Sequence, residues 1–257
     1  MKRLKYLPNY SHSILNISAS ILNYYGVKSE YPTLDILDKK LNENYNHVIF
    51  MVLDGLGLNI IKENLPKGAL LRKNIKKKLT SVFPPTTVAA TTAMLSGKAP
   101  ISSGYLGWTQ YNKIDDAITT VFGNIDYYNS NRILTHNLQE DSLKYLDIAT
   151  QIKEKNKDLH TEVIFPAFRE GGFDSFNEQL TRLLTITKMP KSFSYCYWNE
   201  PDLTIHGHGI SGNATKEVVN NLNTSYERFI NDLDDDVLVI TTADHGLIDV
   251  LEIPIYN

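Results

Sequence analysis

Four short stretches of this 257-residue chain carry side chains able to bind metal or attack phosphorus. HVIFMVLDGLG (47–57) is apolar until it stops at Asp54, and FPPTT (83–87) sets two threonines behind a Pro-Pro corner. NEPDLTIHGHG (199–209) carries Asp202 and His206 four residues apart, and DVLVITTADHG (236–246) closes a second apolar run with Asp244 and His245. Hard carboxylates beside neutral imidazoles suit Zn²⁺, Mn²⁺ or a similar dication. A threonine just past a rigid corner, at a helix start, has its hydroxyl where the helix dipole favours an anion. Thr86 and Thr87 are both candidates on that ground.

Each feature taken singly has a plainer account. Asp-Gly after a strand is a common turn, and a threonine before a helix is most often an N-cap. His206 or His208 in a Gly-rich loop reads as a surface histidine, and Asp244-His245-Gly246 as a capped turn. Together they are harder to dismiss, because the acidic pieces fall at the ends of apolar runs.

The elements that must position these residues follow from hydrophobic periodicity. A run apolar on both faces, as at 47–53, suits the central strand of a parallel sheet covered by helices. Its carboxyl end is where open α/β sheets place their sites. Helical spacing marks 11–25, 58–63, 88–95 closed by Gly97, 145–156, 174–187 and 214–232. Strand-like runs are expected at 79–83, 161–165, 192–198 and 236–242, with Asp202 and His206 on the loop that follows the 192–198 strand. This alternation predicts an α/β fold, a three-layer α/β/α sandwich with a mainly parallel central sheet. The Tyr-, Asn- and Gly-rich segment around 103–144 breaks the rhythm and reads as an irregular lid inserted over the site.

Composition narrows the classes. Apolar residues make up 42% and charged residues 21%, ordinary for one soluble domain, and the net charge of −3 gives no reason to expect a nucleic-acid polymer or an acidic membrane. The basic run Lys67 to Lys78 reads as a solvated helix face. Cys196 is the single cysteine, which excludes a disulfide framework and a thiolate zinc cluster. No apolar run is long enough to span a bilayer and MKRLKYLPNYSH lacks the apolar core of a secretory signal, so the cytoplasm is the expected compartment. Ser96-Gly97-Lys98 lacks the rest of a P-loop, no Gly-x-Ser-x-Gly elbow occurs, and the Cys/Ser-x-Pro-x-Arg setting of sulfatases is missing at 84–90.

VLDGLG (52–57), FPPTTVAATTAMLSG (83–97), the EPDxxxHxxG pattern (200–209) and ADHG (243–246) occur in an order that resembles the type I phosphodiesterase and nucleotide pyrophosphatase branch of the alkaline phosphatase superfamily. The resemblance implies one alkaline phosphatase-like catalytic domain over the whole chain and two bound metal ions, zinc first and manganese second. It implies that Asp54, Thr87, Asp244 and His245 hold one ion, that Asp202 and His206 hold the other, and that Thr87 rather than Thr86 is the nucleophile. The implied activity is cleavage of a phosphodiester or phosphoanhydride bond in a small nucleotide-type substrate through a covalent threonyl intermediate. The alternatives are a phosphomonoesterase or phosphonate hydrolase on the same metals, or a non-catalytic metal- or phosphate-binding protein.

Two departures from the family pattern stand out. The second ion of the family takes a further histidine nearer the C-terminus, whereas none follows His245 here. A C-terminal segment beyond this sequence, or a different group, is therefore expected to complete it. Where several relatives carry a phosphate-binding asparagine, this chain carries Trp108, the candidate substrate contact. Tyr105, Trp108 and Tyr111 either stack a base or aryl group or form the core of the lid.

Overall fold

In a computed structural model the described residues are 7–250. The basic start of the N-terminal segment (1–6) and the last residues of the chain (251–257) lie outside them. In chain order, α1 (Leu15–Tyr24) and α2 (Asp35–Leu41) lead into β1 (His47–Leu53). Then come α3 (Leu58–Asn64), the short α4 (Leu70–Lys73), α5 (Thr87–Ser96) and α6 (Pro100–Ser103). Three short strands follow, β2 (Thr109–Asn112), β3 (Ala117–Thr120) and β4 (Ile125–Asp126). The remainder is α7 (Ile148–Lys155), β5 (His160–Ile164), α8 (Phe176–Ile186), β6 (Ser192–Trp198), α9 (Asp202–His208), α10 (Asn213–Asn231) and β7 (Val237–Thr242).

The main sheet has the order β5-β6-β1-β7 and every pairing in it is parallel. β1 is central, and all seven of its residues are buried. Its alternation splits the core in two. Val48, Phe50 and Val52 face one cluster with Ile17, Met94 and Ile152, from α1, α5 and α7. Ile49, Met51 and Leu53 face the other, with Ile60, Leu183 and Val219 from α3, α8 and α10. Helices cover both faces, the expected three-layer α/β sandwich.

Parallel register brings the carboxyl ends of the strands together. Leu53 pairs with Trp198 and Val52 with Thr242, so the chain leaves β1, β6 and β7 at one level, just before Asp54, Asp202 and Asp244.

Three expectations are corrected. Residues 79–83 form no strand of the sheet: of the five only Val82 is buried, and the backbone makes one isolated parallel bridge, Ser13 to Thr80. The basic run is helical only at Leu70–Lys73, and its lysines from Lys76 to Lys78 lie exposed outside any helix or strand rather than on a helix face. The 103–144 segment is less irregular than its composition implies. β2, β3 and β4 form a separate antiparallel sheet. Beneath it Tyr105 packs with Val88 and Val121, so Tyr105 is core here and Trp108 and Tyr111 stay exposed.

Candidate metal and phosphoryl-transfer site

Asp54 continues the alternation of β1, so its side chain points to the face that carries α5. Tyr197 shares that face, one register step back beside Val52, and its hydroxyl donates to Asp54 Oδ2. The Asp54 N–H donates to Trp198 O at 2.9 Å, extending the ladder one residue past the strand.

α9 begins on the same strand end. The Asp202 N–H donates to Asp54 O at 3.1 Å, and Glu200 accepts from the Thr204 N–H and hydroxyl, both at 3.0 Å. Asp202 and His206 therefore sit one turn apart on a helix, not on the expected loop, with His206 Nε2 3.4 Å from Asp202 Oδ2. A carboxylate cap and an external acceptor start this helix despite Pro201 and the glycines at its end. His208 ends it and is exposed.

The loop after β7 is fixed by close backbone approach. Asp244 Oδ1 accepts from the N–H groups of Gly55 at 3.0 Å and His245 at 2.8 Å. A Cβ on Gly57 would lie 2.6 Å from Gly246 Cα. Gly55 has φ +70°, and a Cβ there would meet Asp202 Cα at 3.0 Å, so glycine is required by both conformation and space.

Thr87 is the first residue of α5. Thr86 before it is extended (φ −118°, ψ 153°), as a helix N-cap position is, yet its hydroxyl caps nothing and is buried without a partner. Thr87 Oγ1 instead lies 3.2 Å from His245 Nε2. That nitrogen is also 3.4 Å from Asp54 Oδ1, 3.4 Å from Asp244 Oδ2 and 4.0 Å from Asp202 Oδ1.

Those three carboxylate oxygens are buried and have no hydrogen-bond partner. Buried polar atoms are ordinarily paired, and orphaned carboxylate oxygens facing one another are the least tolerable case. Donor atoms of Asp54, Asp202 and His245 all fall within 4.8 Å of one another. The crowding shows in acidity. Burial, then the charges of Asp244 and Asp202, push the Asp54 carboxyl well above the usual range against the pull of the Tyr197 hydroxyl. Burial raises Asp202 too, while His245 and His206 draw it back. A divalent cation among these oxygens would supply the missing partners, so this donor set fits the metal expected from the sequence.

The structure thus gathers Asp54, Thr87, Asp202, Asp244 and His245. His206 stands at the rim, its side chain 72% exposed and touching only Asp202 of the group. Trp108 lies outside the cluster, edge-on to Phe122 at 6.3 Å. Sequence reasoning missed Tyr197, whose role depends on the register between β1 and β6, and the glycine contacts that close the site.

A parallel sandwich with acidic strand ends and a threonine at a helix N-terminus is the architecture of alkaline phosphatase-like enzymes. A model of the family type I phosphodiesterase / nucleotide pyrophosphatase matches residues 48–255, and the chain belongs to that family. Similar solved structures include murine ectonucleotide pyrophosphatase/phosphodiesterase 5 as an inactive threonine-to-alanine variant in complex with AMP, at TM-score 0.59 and 17% identity over 79% of this chain. A second structure of the murine protein gives TM-score 0.58 and 18% identity over 77% of this chain. The chain covers 57% of the length of each, and at this identity the likeness shows the fold. No curated protein matches.

Proposed function

We propose that the chain is a metal-dependent hydrolase of phosphodiester or phosphoanhydride bonds in small nucleotide-type substrates, acting through Thr87. The observation that carries this reading is the group of three buried, unpartnered carboxylate oxygens around His245 Nε2, with the Thr87 hydroxyl 3.2 Å from that nitrogen. Asp54, Thr87, Asp244 and His245 would hold one ion, and Asp202 with His206 the other, zinc being favoured by the mixed imidazole and carboxylate donors. When bound, such ions supply the positive charge that lets a threonine hydroxyl ionise near neutral pH and that offsets charge on the transferred phosphoryl group.

The residues of the chain do the rest. Thr87 Oγ1 attacks phosphorus in line, the bond to the leaving oxygen breaks with its electron pair, and a phosphoryl- or nucleotidyl-threonine results. Water then attacks the same phosphorus, the threonine oxygen leaves and the hydroxyl is restored. The first N–H groups of α5 have no acceptor within the helix and face the phosphoryl oxygens as preset donors. Tyr197 keeps Asp54 oriented, and Glu200 holds the start of α9 so that Asp202 meets the cluster.

AMP bound to the murine relative supports a nucleoside phosphate as the transferred group. Trp108, 56% exposed, offers a stacking face to a base, and the 103–144 segment acts as the lid of a single domain. Among the described residues no helix is long and apolar enough to cross a membrane.

The test is release of nitrophenol from bis(4-nitrophenyl) phosphate after chelation and readdition of Zn²⁺ or Mn²⁺. Metal-restored turnover that disappears in Thr87→Ala, with metal still bound at saturation, is expected. Turnover that survives in Thr87→Ala would move the attack to water or Thr86, and a chain that binds no metal would end the reading.

A further inference from the structure

The β2-β3-β4 sheet carries a concave site of its own, built from residues that the metal cluster does not use. Tyr111 on β2 stands opposite Ile118 on β3, and cross-strand partners share a face. Their neighbours Asn112 and Ala117 are buried, so Tyr111 and Ile118 point the other way, toward solvent. With the turn at 113–116 and the chain after β4 they wall an open cleft of about 390 Å³. Small-molecule sites run from about 300 to 1,000 Å³.

The walls are fixed without a ligand. At the turn, Asp115 accepts from the Thr135 N–H at 3.0 Å, the Thr135 hydroxyl at 2.6 Å and the His136 N–H at 3.0 Å. Arg132 donates to Asp126 Oδ2 at 3.2 Å and to the backbone oxygens of Asp115 and Asp116. Asp126 Oδ1 accepts from the N–H groups of Tyr128 at 2.9 Å and Asn129 at 3.1 Å, which sets the chain that carries both residues. A cleft already ordered in this way loses little entropy when it binds.

The groups left free define the ligand. Asp116 stands at φ +46°, a left-handed conformation that aspartate and asparagine adopt more readily than most residues. The Tyr111 hydroxyl donates to Asp116 Oδ1 at 2.8 Å. Among the described residues Asp116 Oδ2 and the Asn129 side-chain amide have no hydrogen-bond partner. The Tyr128 ring is 82% exposed and is braced edge-on by Tyr127 at 5.1 Å. An anion in the cleft would meet Asp116 and Asp126, and the one guanidinium there is committed to three acceptors. A cation would meet the fixed charge of Arg132. A neutral ligand with an apolar face and several hydroxyls meets neither obstacle. Its C–H face suits the tyrosine rings, and its hydroxyls suit a free carboxylate oxygen and a free amide.

We infer that this cleft is a carbohydrate-binding site that takes a neutral hexopyranose, with the sugar ring against Tyr111 and Tyr128 and its hydroxyls on Asp116 Oδ2 and Asn129. The site is separate from the metal cluster and stands whether or not the chain is a hydrolase.

The test is saturation-transfer-difference NMR of the zinc-loaded chain with methyl β-D-glucopyranoside, methyl β-D-galactopyranoside and methyl α-D-mannopyranoside, and with tetramethylammonium and acetate as charged probes. At least one glycoside should give a saturable signal with Kd of about 1–10 mM. Asp116→Asn keeps a residue suited to the left-handed backbone and removes only the charge, and should weaken that binding about tenfold or more. Tyr128→Ala should weaken it about 2- to 10-fold. Both side chains are exposed, so the Tm and any turnover of bis(4-nitrophenyl) phosphate should stay as in the starting chain. If Asp116→Asn lowers the Tm, Tyr128→Ala and Asn129→Ala, which lie outside the turn, decide in its place. No glycoside signal at about ten times the expected Kd overturns the inference, as does glycoside affinity that these variants leave unchanged. So does a signal from tetramethylammonium or acetate, in place of the glycosides, that the same variants abolish.

Discussion

Tyr197→Phe removes one hydroxyl and leaves the ring in its packing against Phe165 and Phe168, at 5.5 and 6.3 Å. That hydroxyl is the donor to Asp54 Oδ2, and Asp54 is only 2% exposed, so water does not replace it. With metal bound, Asp54 must be ionised, and the variant then buries a carboxylate oxygen without a donor. Leaving a buried acceptor unpaired costs about 1–3 kcal/mol. Groups that orient a metal ligand from behind are typically worth about 10- to 100-fold in affinity. Every tenfold is about 1.4 kcal/mol, so the two estimates agree.

Without metal the penalty is smaller. Burial and the neighbouring Asp244 and Asp202 charges already push the Asp54 carboxyl toward its neutral form, which needs the Tyr197 donor less. The loss should therefore concentrate in the metal-loaded state. Competition for Zn²⁺ against a chromophoric chelator should show Kd weaker by about 10- to 100-fold. Thermal unfolding with and without Zn²⁺ should show the variant gaining less from the metal, with the difference equivalent to roughly 2–12 °C. Asp54→Asn serves as the control that loses binding outright. Tyr197→Phe with the starting affinity and the same metal-induced rise in Tm would refute the account, and so would lost turnover with unchanged affinity.

Gly57→Ala has an ordinary φ but places a Cβ 2.6 Å from Gly246 Cα, so the loop carrying Asp244 and His245 must shift; a loss of about 1–3 kcal/mol together with weaker metal binding is expected from chemical unfolding and zinc titration. Asp54→Asn should raise the Tm of the chelator-treated chain near neutral pH while abolishing high-affinity metal binding, because it removes a carboxyl whose ionisation burial, Asp244 and Asp202 oppose in the folded state; an unchanged or lower Tm would deny that opposition. In the 103–144 segment, the hydroxyl and N–H of Thr135, with help from the His136 N–H and Asn112, pull the Asp115 carboxyl down to about 2. A carboxylate more acidic folded than unfolded stabilises above about pH 4, and that contribution is lost as pH falls toward about 2. Asp115→Asn should flatten this part of the acid limb in Tm measured from pH 5 to 2, and an identical limb would remove Asp115 from it.

The legible parts of this chain were those whose signal is local. The apolar run of β1 announced a strand buried on both faces, and Asp54 announced where it ended. Pro84 and Pro85 gave away the extended approach to α5, and Gly97 its left-handed stop. The misread parts depended on partners far away in sequence. Residues 79–83 look like a strand, but only Val82 is fully buried and Leu79 only partly, and propensity without burial does not add a strand to a sheet. α9 was hidden behind Pro201, Gly207 and Gly209, since its start is held by Glu200 and by Asp54 O rather than by its own propensity. Tyr197 lies 143 residues from Asp54, and their contact exists only through the Val52–Tyr197 register.

That distance shows that the site is assembled by the sheet rather than by local sequence. Four strand and helix ends from separate parts of the chain converge because parallel pairing sets β1, β6 and β7 at one level, and that pairing needs buried apolar residues of roughly the right size rather than particular ones. The end residues are under the opposite constraint. Asp54, Asp202 and Asp244 repel one another, and Asp244 sits fully buried with one oxygen held by two N–H groups and the other by none. On the metal-binding reading proposed above, the same crowding that destabilises the empty cluster would become the affinity of the filled one. Variants that relax the cluster should therefore gain in the metal-free chain what they lose in binding, a trade that Asp54→Asn measures in one pair of melting curves.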